Sequence, residues 1–244
     1  MPESLGDSVE GASIAILDPQ AACAEILARE LTNRYPACAF QVDYLDPQTI
    51  ATAIREAARV LGRIDILVTN TLPGASPATL ENQPEAAFKG AFNSTLAAAS
   101  AMRAVFPFMC TAGGGRIIHV GHRYGETVGE GMAPYNCAAW SLVGLTRTAA
   151  LDWGQHQITT NLLLPVAATG EFRAARAARA GIIDLLTAQI PLRRAGDPVE
   201  DVGGAALFLA SADACFVNGQ TLFADGGQHT AGPVLNPVKF TARR

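Results

Sequence analysis

The sequence predicts an α/β protein: a Rossmann-like, doubly wound parallel sheet in a single domain. Three observations predict it. Short apolar runs alternate with longer segments whose apolar residues recur at helical spacing. The 244 residues suffice for one α/β domain with a full core and are short for two. No internal repeat and no interdomain linker interrupts the alternation.

Taken in order, residues 1–11 read as a tail and residues 12–228 as the domain. Ser13-Ile14-Ala15-Ile16-Leu17 is a buried strand. Asp18 and Pro19 then open a helix to about Arg34, with Cys23, Ile26, Leu27 and Leu31 at helical spacing. Asp18 has the side chain of an N-cap, and Pro19 suits a first helical position. Ala39–Asp43 reads as a second strand, and Asp46-Pro47 starts a second helix with Ile50, Ile54, Ala57 and Ala58 inward. Ile64–Asn70 is a third strand, followed by a loop with Pro73, Gly74 and Pro77. A long alanine-rich helix runs from about Pro84 to Met109, and Gly113-Gly114-Gly115 ends it. Arg116–Gly121 is a fourth strand, 135–153 a helix, and Thr160–Pro165 a fifth strand. Helical patterns cover about 171–188 and 198–211, and Gln220–Gly227 closes the sheet. Residues 229–244 read as a second tail. Right-handed crossovers place helices on both faces of such a sheet.

Composition narrows the function. Hydrophobic residues make up 49% and mean hydropathy is +0.19, so surplus apolar surface is expected in oligomer contacts. A net charge of −4 and a pI near 5.6 exclude the basic footprint of a nucleic-acid binder. No uninterrupted apolar run is long enough to span a bilayer. The polar, acidic start Met1–Asp7 is unlike a signal peptide, so a cytoplasmic protein without membrane attachment is expected. Cys23, Cys38, Cys110, Cys137 and Cys215 are scattered and read as small buried thiols. His119 and His122 lack a carboxylate or thiol at ligand spacing, so no metal site is expected.

From about residue 60 to 228 the chain resembles the short-chain dehydrogenase/reductase family. The resemblance rests on Leu61-Gly62-Arg63-Ile64-Asp65-Ile66-Leu67-Val68-Thr69-Asn70, on Phe92-Asn93-Ser94-Thr95-Leu96 and on Arg116–Val120. It rests as well on Asp201–Ser211 and on Gly219-Gln220 through Asp225-Gly226-Gly227. In active members a Tyr exchanges the proton on the substrate oxygen, a Lys four residues on lowers its pKa, a Ser fixes that oxygen and an Asn supports a water relay. Tyr135 and Asn93 match that pattern; Ala139 stands at the lysine position and His122 at the serine position. An unperturbed tyrosine has a pKa of roughly 10, so without a neighbouring cation little tyrosinate forms at neutral pH. On this reading Tyr135 and Asn93 are vestigial, and His122 and Ala139 degenerate.

The N-terminal half departs further. Dinucleotides use a glycine-rich turn that brings their diphosphate to a helix N-terminus. Here the turn is Leu17-Asp18-Pro19-Gln20-Ala21-Ala22, without glycine, and a capping Asp18 would occupy the helix N–H groups and repel phosphate. Only Thr32–Cys38 separate the first helix from the strand that matches the family's third. A truncated dinucleotide-binding half is therefore expected, although Asp43 matches the acid the family places near adenine. The resemblance then implies that this chain binds no cofactor itself, NAD residing on a partner subunit.

The function this implies is a non-catalytic subunit in a mixed tetramer, stabilising a homologous, active short-chain dehydrogenase. The two long helices and residues 199–228, through which the family assembles, are the parts retained. The alternative is a cofactor-independent lyase or dehalogenase-type enzyme on the same scaffold, with Tyr135 and His122 as an acid–base pair. A small-molecule sensor and an ordinary dehydrogenase rank lower. Arg173, Arg176 and Arg179 read as a solvated cationic face in preference to a phosphate-binding one. Trp140 and Trp153 read as core or interface anchors.

Overall fold

The computed structural model describes residues 11–230 apart from 34, 72, 75, 76, 171, 173, 175, 176 and 178–186. The expected tails, Arg173, Arg176, Arg179 and most of the 171–188 helical pattern therefore lie outside the described residues. The described chain runs β1 (Ile14–Asp18), α1 (Ala21–Thr32), β2 (Ala37–Gln41), α2 (Pro47–Leu61), β3 (Ile66–Thr69) and α3 (Glu85–Ala112). It continues through β4 (Gly115–Val120), α4 (Ala133–Trp153), β5 (Ile158–Pro165), α5 (Gly204–Ala210) and β6 (Thr221–Ala224). All strand pairings are parallel: β1 with β2, and β3-β4-β5-β6 in order.

The doubly wound architecture follows from alternation along the strands. Leu17, Phe40, Leu67, Ile117 and Ile158 face a core filled by Ile50 and Ile54 of α2, Met102, Val105 and Met109 of α3, and Ala149 of α4. Ile118 and Leu163, pointing the other way, meet Val202, Ala206 and Leu209 around α5. On β1 and β2, α1 packs its buried Ala24, Leu27, Ala28 and Leu31. Residues Ile158–Leu164 of β5 are buried without interruption, as both-sided burial of a parallel strand demands. Of the three polar side chains among them, Thr159, Thr160 and Asn161, the last is stapled: Asn161 Nδ2 donates to Val217 O at 2.8 Å, and its Oδ1 accepts from Gln220 N–H at 3.0 Å.

A single helix and a short turn separate β1 from β2, and the two strands pair directly from Ile14↔Ala37 to Asp18↔Gln41. β2 begins two residues earlier than the sequence indicates. Helix α2 is capped as expected, the Asp46 carboxylate accepting from Gln48 N–H at 2.9 Å. The 198–211 pattern divides into a wide π-type turn over 198–203 and then α5.

Two expectations are corrected. Asp18 does not cap α1; it is the last residue of β1, its carboxylate accepts from Gln20 N–H at 2.7 Å, and the helix begins only at Ala21 with no side-chain cap. The cysteines are not buried: Cys23, Cys137 and Cys215 are exposed, and Cys38 and Cys110 half-buried. Helix α3 has the length and hydropathy, 1.2 over an 18-residue window, to cross a membrane, yet it packs against α2, α4, β3 and β4.

The α3–β4 corner sets a steric limit. Gly114 has φ +151°, and a Cβ there would stand 2.8 Å from the Gln157 carbonyl oxygen. Gly114→Ala is expected to cost about 2 kcal/mol, read as a lowered denaturation midpoint with an unchanged m-value.

Candidate active site

The candidate residues gather at the carboxyl ends of the strands, where sheets of this architecture hold their ligands. β4 ends at Val120, and His122 follows at the start of a short turn over Arg123–Gly125. Its Nδ1 accepts from Tyr124 N–H at 3.4 Å. Tyr135 sits in the first turn of α4, just after the buried Pro134. The His122 and Tyr135 rings pack edge to face, centroids 5.4 Å apart. Tyr124, which no sequence periodicity singles out, completes the cluster at 4.5 Å from His122 and 6.0 Å from Tyr135.

Burial governs the electrostatics here. Desolvation, reinforced by the adjacent Arg123 guanidinium, pushes the His122 pKa down to about 4. Desolvation, with Tyr124 adding to it, pushes Tyr135 up to about 12. At neutral pH one is therefore a neutral imidazole and the other a protonated phenol. Among the described residues no hydrogen bond joins them, so the acid–base pair expected for a cofactor-independent enzyme is not assembled.

Ala139, four residues after Tyr135, is buried at 2% exposure and packed against the Arg123–Gly125 turn. No cation occupies the lysine's place. Asn136 clamps the preceding loop, accepting from Gly129 N–H at 3.1 Å and donating to Gly129 O at 2.9 Å. Gly129 in turn lies against the Tyr124 ring, where a Cβ would stand 2.6 Å from Cζ. Asn93 lies on α3, and no hydrogen bond links it to Tyr135 or His122 among the described residues. Beneath the cluster, the fully buried His119 is hydrogen-bonded through Nδ1 to Thr69 Oγ1 at 2.6 Å, and desolvation holds its pKa at about 4.

At the cofactor end, Asp18, Pro19 and Gln20 form a turn outside α1. Among the described residues the Asp18 carboxylate accepts only from Gln20 N–H, and Cys23 N–H donates to Gln20 O at 3.0 Å, so the N–H groups left uncapped at the helix start are those of Ala21 and Ala22. An uncapped helix N-terminus offers N–H groups and the positive end of the helix dipole to an anion. Asp43 is turned inward to its own loop, its carboxylate accepting from Leu45 N–H at 2.8 Å. Tyr44, half-buried beside Asp18, donates to Leu17 O at 3.4 Å.

Fold and crevice together define an α/β protein of the Rossmann type. A family model described as Enoyl-(Acyl carrier protein) reductase matches residues 8–229. An uncharacterized oxidoreductase of Mycobacterium tuberculosis is 32% identical over 241 residues, covering 89% of this chain and 87% of its own. Gluconate 5-dehydrogenase of Gluconobacter oxydans is 31% identical over 187 residues, covering 76% and 72%. The crystal structure of a gluconate 5-dehydrogenase from Burkholderia cenocepacia, in complex with NADP and tartrate, superposes with a TM-score of 0.86 at 31% identity, over 94% of this chain and 90% of that one. The chain belongs to the short-chain dehydrogenase/reductase family.

These relatives overturn the expectation that this chain binds no nicotinamide cofactor and leaves NAD to a partner alone: a structural relative similar across nearly the whole chain holds NADP. The physical reason lies in the turn. Exclusion rested in part on Asp18 occupying the N–H groups of α1, and it does not; the turn's lack of glycine stands.

Both histidines enter the fold neutral. Their folded pKa values near 4 lie below the unfolded value of about 6.5, so the unfolded chain takes up protons first as pH falls. The stability they contribute is complete above pH 6.5 and is lost between there and pH 4, on the order of 2–3 kcal/mol for each. His122→Asn keeps an acceptor for Tyr124 N–H and should halve that acid slope, measured by urea denaturation across the window.

Proposed function

We propose that this chain is a nicotinamide-binding subunit of the short-chain dehydrogenase/reductase family whose own proton-transfer machinery is silent. It works in a mixed tetramer beside a homologous, active subunit. The observation that carries this reading is the surroundings of Tyr135. The phenol is half-buried, its pKa lies near 12, and buried Ala139 stands where a lysine would lower it. Such a tyrosine donates a hydrogen bond well and accepts a proton poorly at neutral pH.

The uncapped start of α1, at Ala21 and Ala22, is the part that fits a dinucleotide diphosphate. NADP in the gluconate 5-dehydrogenase supports that assignment. A bound nicotinamide supplies the hydride donor or acceptor. Asp18 opposes it, because its carboxylate stands at the same turn. The assembly is supported by apolar side chains on the two long helices: Phe92 and Leu96 on α3 and Trp140 and Leu151 on α4 are exposed. The active partner's substrate is a hydroxyacyl-CoA such as 2-[hydroxy(phenyl)methyl]succinyl-CoA, the alcohol oxidised in benzylsuccinate β-oxidation during anaerobic toluene degradation. That finer assignment rests on the resemblance of the altered set His122, Tyr135 and Ala139 to the non-catalytic subunit of such a dehydrogenase.

Two measurements test the reading. Co-expression with the dehydrogenase encoded beside this chain, followed by native mass spectrometry, should give a mixed tetramer, with alcohol turnover at least about 100-fold above that of this chain alone. A homomeric assembly with full turnover would refute it. Calorimetric titration of NADP should show Asp18→Asn binding at least about fivefold tighter than wild type, as expected for removing one like charge at contact distance.

A further inference from the structure

A cavity of about 690 Å³ opens at the amino ends of β4 and β5, at the opposite edge of the sheet from Tyr135 and from the turn assigned to the cofactor. Arg63, Asp65, Arg116, Thr159, Phe216 and Asn218 are among its walls. Arg116 and Thr159 are register partners, each the second residue of its strand, so their side chains leave the sheet side by side on one face. It is the face that carries Ile118 and Leu163 and is covered by α5.

Both side chains keep bonding capacity that the fold does not use. The Arg116 guanidinium is half-buried; its Nε–H donates to Ser211 O at 3.3 Å and its Nη1 to Gly115 O at 3.0 Å. A guanidinium has five N–H donors, so three of them find no protein partner among the described residues, and no carboxylate there pairs with the charge. Thr159 supplies an independent observation. It is 6% exposed, and its Oγ1 is buried without a hydrogen-bond partner, a costly state for a hydroxyl. Asn218 in the same wall differs, because its amide is spent inside the fold: Oδ1 accepts from Thr160 N–H at 2.9 Å and Nδ2 donates to Ala150 O at 3.0 Å. Arg63 is ion-paired with Asp65, so the charged side chains of the wall sum to +1, and the unpaired charge is that of Arg116. Phe216, also in the wall, is fully exposed.

We propose that this cavity binds a small aromatic monocarboxylate, its carboxylate accepting from the Arg116 guanidinium and the Thr159 hydroxyl and its ring resting on Phe216. The site goes beyond the subunit reading and does not depend on it, since it requires neither cofactor nor partner. The chemistry follows from the wall. A planar guanidinium with free N–H groups matches a carboxylate, and hydrogen bonds to a charged group are the strong ones. The Thr159 hydroxyl, which the chain leaves unpaired, gains in the ligand the acceptor it lacks. One unpaired positive charge calls for one negative charge, and Asp65 disfavours a second. The exposed Phe216 ring offers an aromatic body a face or an edge to pack on.

The test uses the purified full-length chain and ligand-observed NMR titration, with benzoate as the probe and benzamide as its uncharged analogue. Wild type should bind benzoate at least about tenfold more tightly than benzamide (about 1.4 kcal/mol). Arg116→Gln should remove that preference, and Arg116→Lys, which keeps the charge without the fork, should retain part of it. Thr159→Val should weaken benzoate at least about threefold and melt at or above the wild-type temperature, because it replaces an unpaired buried hydroxyl by a methyl group of the same shape. Phe216→Ala should weaken both probes about equally and leave the preference intact. Equal binding of the two probes by wild type, or unchanged benzoate binding by Arg116→Gln, would overturn the proposal. So would a Thr159→Val chain that melts well below wild type, which would mean that the hydroxyl is already bonded within the protein. Loss of benzoate binding in Tyr135→Phe would place the probe at the opposite edge and overturn it as well. A mixed tetramer failing to form leaves these titrations unaffected, so the two readings fail separately.

Discussion

Complete burial of β5 is the constraint on which the rest of the molecule depends. With Ile158–Leu164 covered on both faces, helices must lie on either side of the sheet, and every strand beside β5 inherits an inward and an outward set of side chains. Parallel strands need crossovers, and the crossovers bring the starts of α1 and α4 to the carboxyl ends of the strands. The crevice at that edge is a consequence of how the core is covered.

What that crevice can do is decided by water more than by charge. His122, Tyr124 and Tyr135 pack ring against ring at a half-buried edge, and desolvation drives the imidazole and the phenol to their neutral forms. In a short-chain dehydrogenase, a cation beside the tyrosine is the lever that reverses this preference. Here the position is filled by a buried methyl group. Donor capacity survives the loss of base strength: the phenol keeps its proton and can still give a hydrogen bond.

Much of the fold was legible in the sequence because apolar runs and helical periodicity are local signals. The runs at β1, β3, β4 and β5 mark their strands, and Asp46-Pro47 marks the start of α2. The same dipeptide at Asp18-Pro19 misled, because its role is set by a tertiary contact. Asp18 is held as the last residue of β1, paired with Gln41 and accepting through its carbonyl from Val42 N–H, and the helix begins only at Ala21, with Gln20 in the capping position. β2 starts earlier than it reads because Ala37 and Cys38 are too small to announce a strand. Tyr135 and His122 were found through resemblance; Tyr124 and Gly129 were not, since proximity across a turn leaves no periodic trace.

The direct pairing of β1 with β2 bears on how the chain assembles itself. Those strands are joined by one helix and a short turn, so their contacts close a small loop and lose little chain entropy in forming. The pairing of β5 with β6 spans everything from Val166 to Gln220 and must close a far longer one. Contact order is thus divided unevenly along the molecule, low at the amino end and high at the carboxyl end. The amino end is positioned to gain structure early, while β5, whose burial organises the finished protein, waits for its last neighbour.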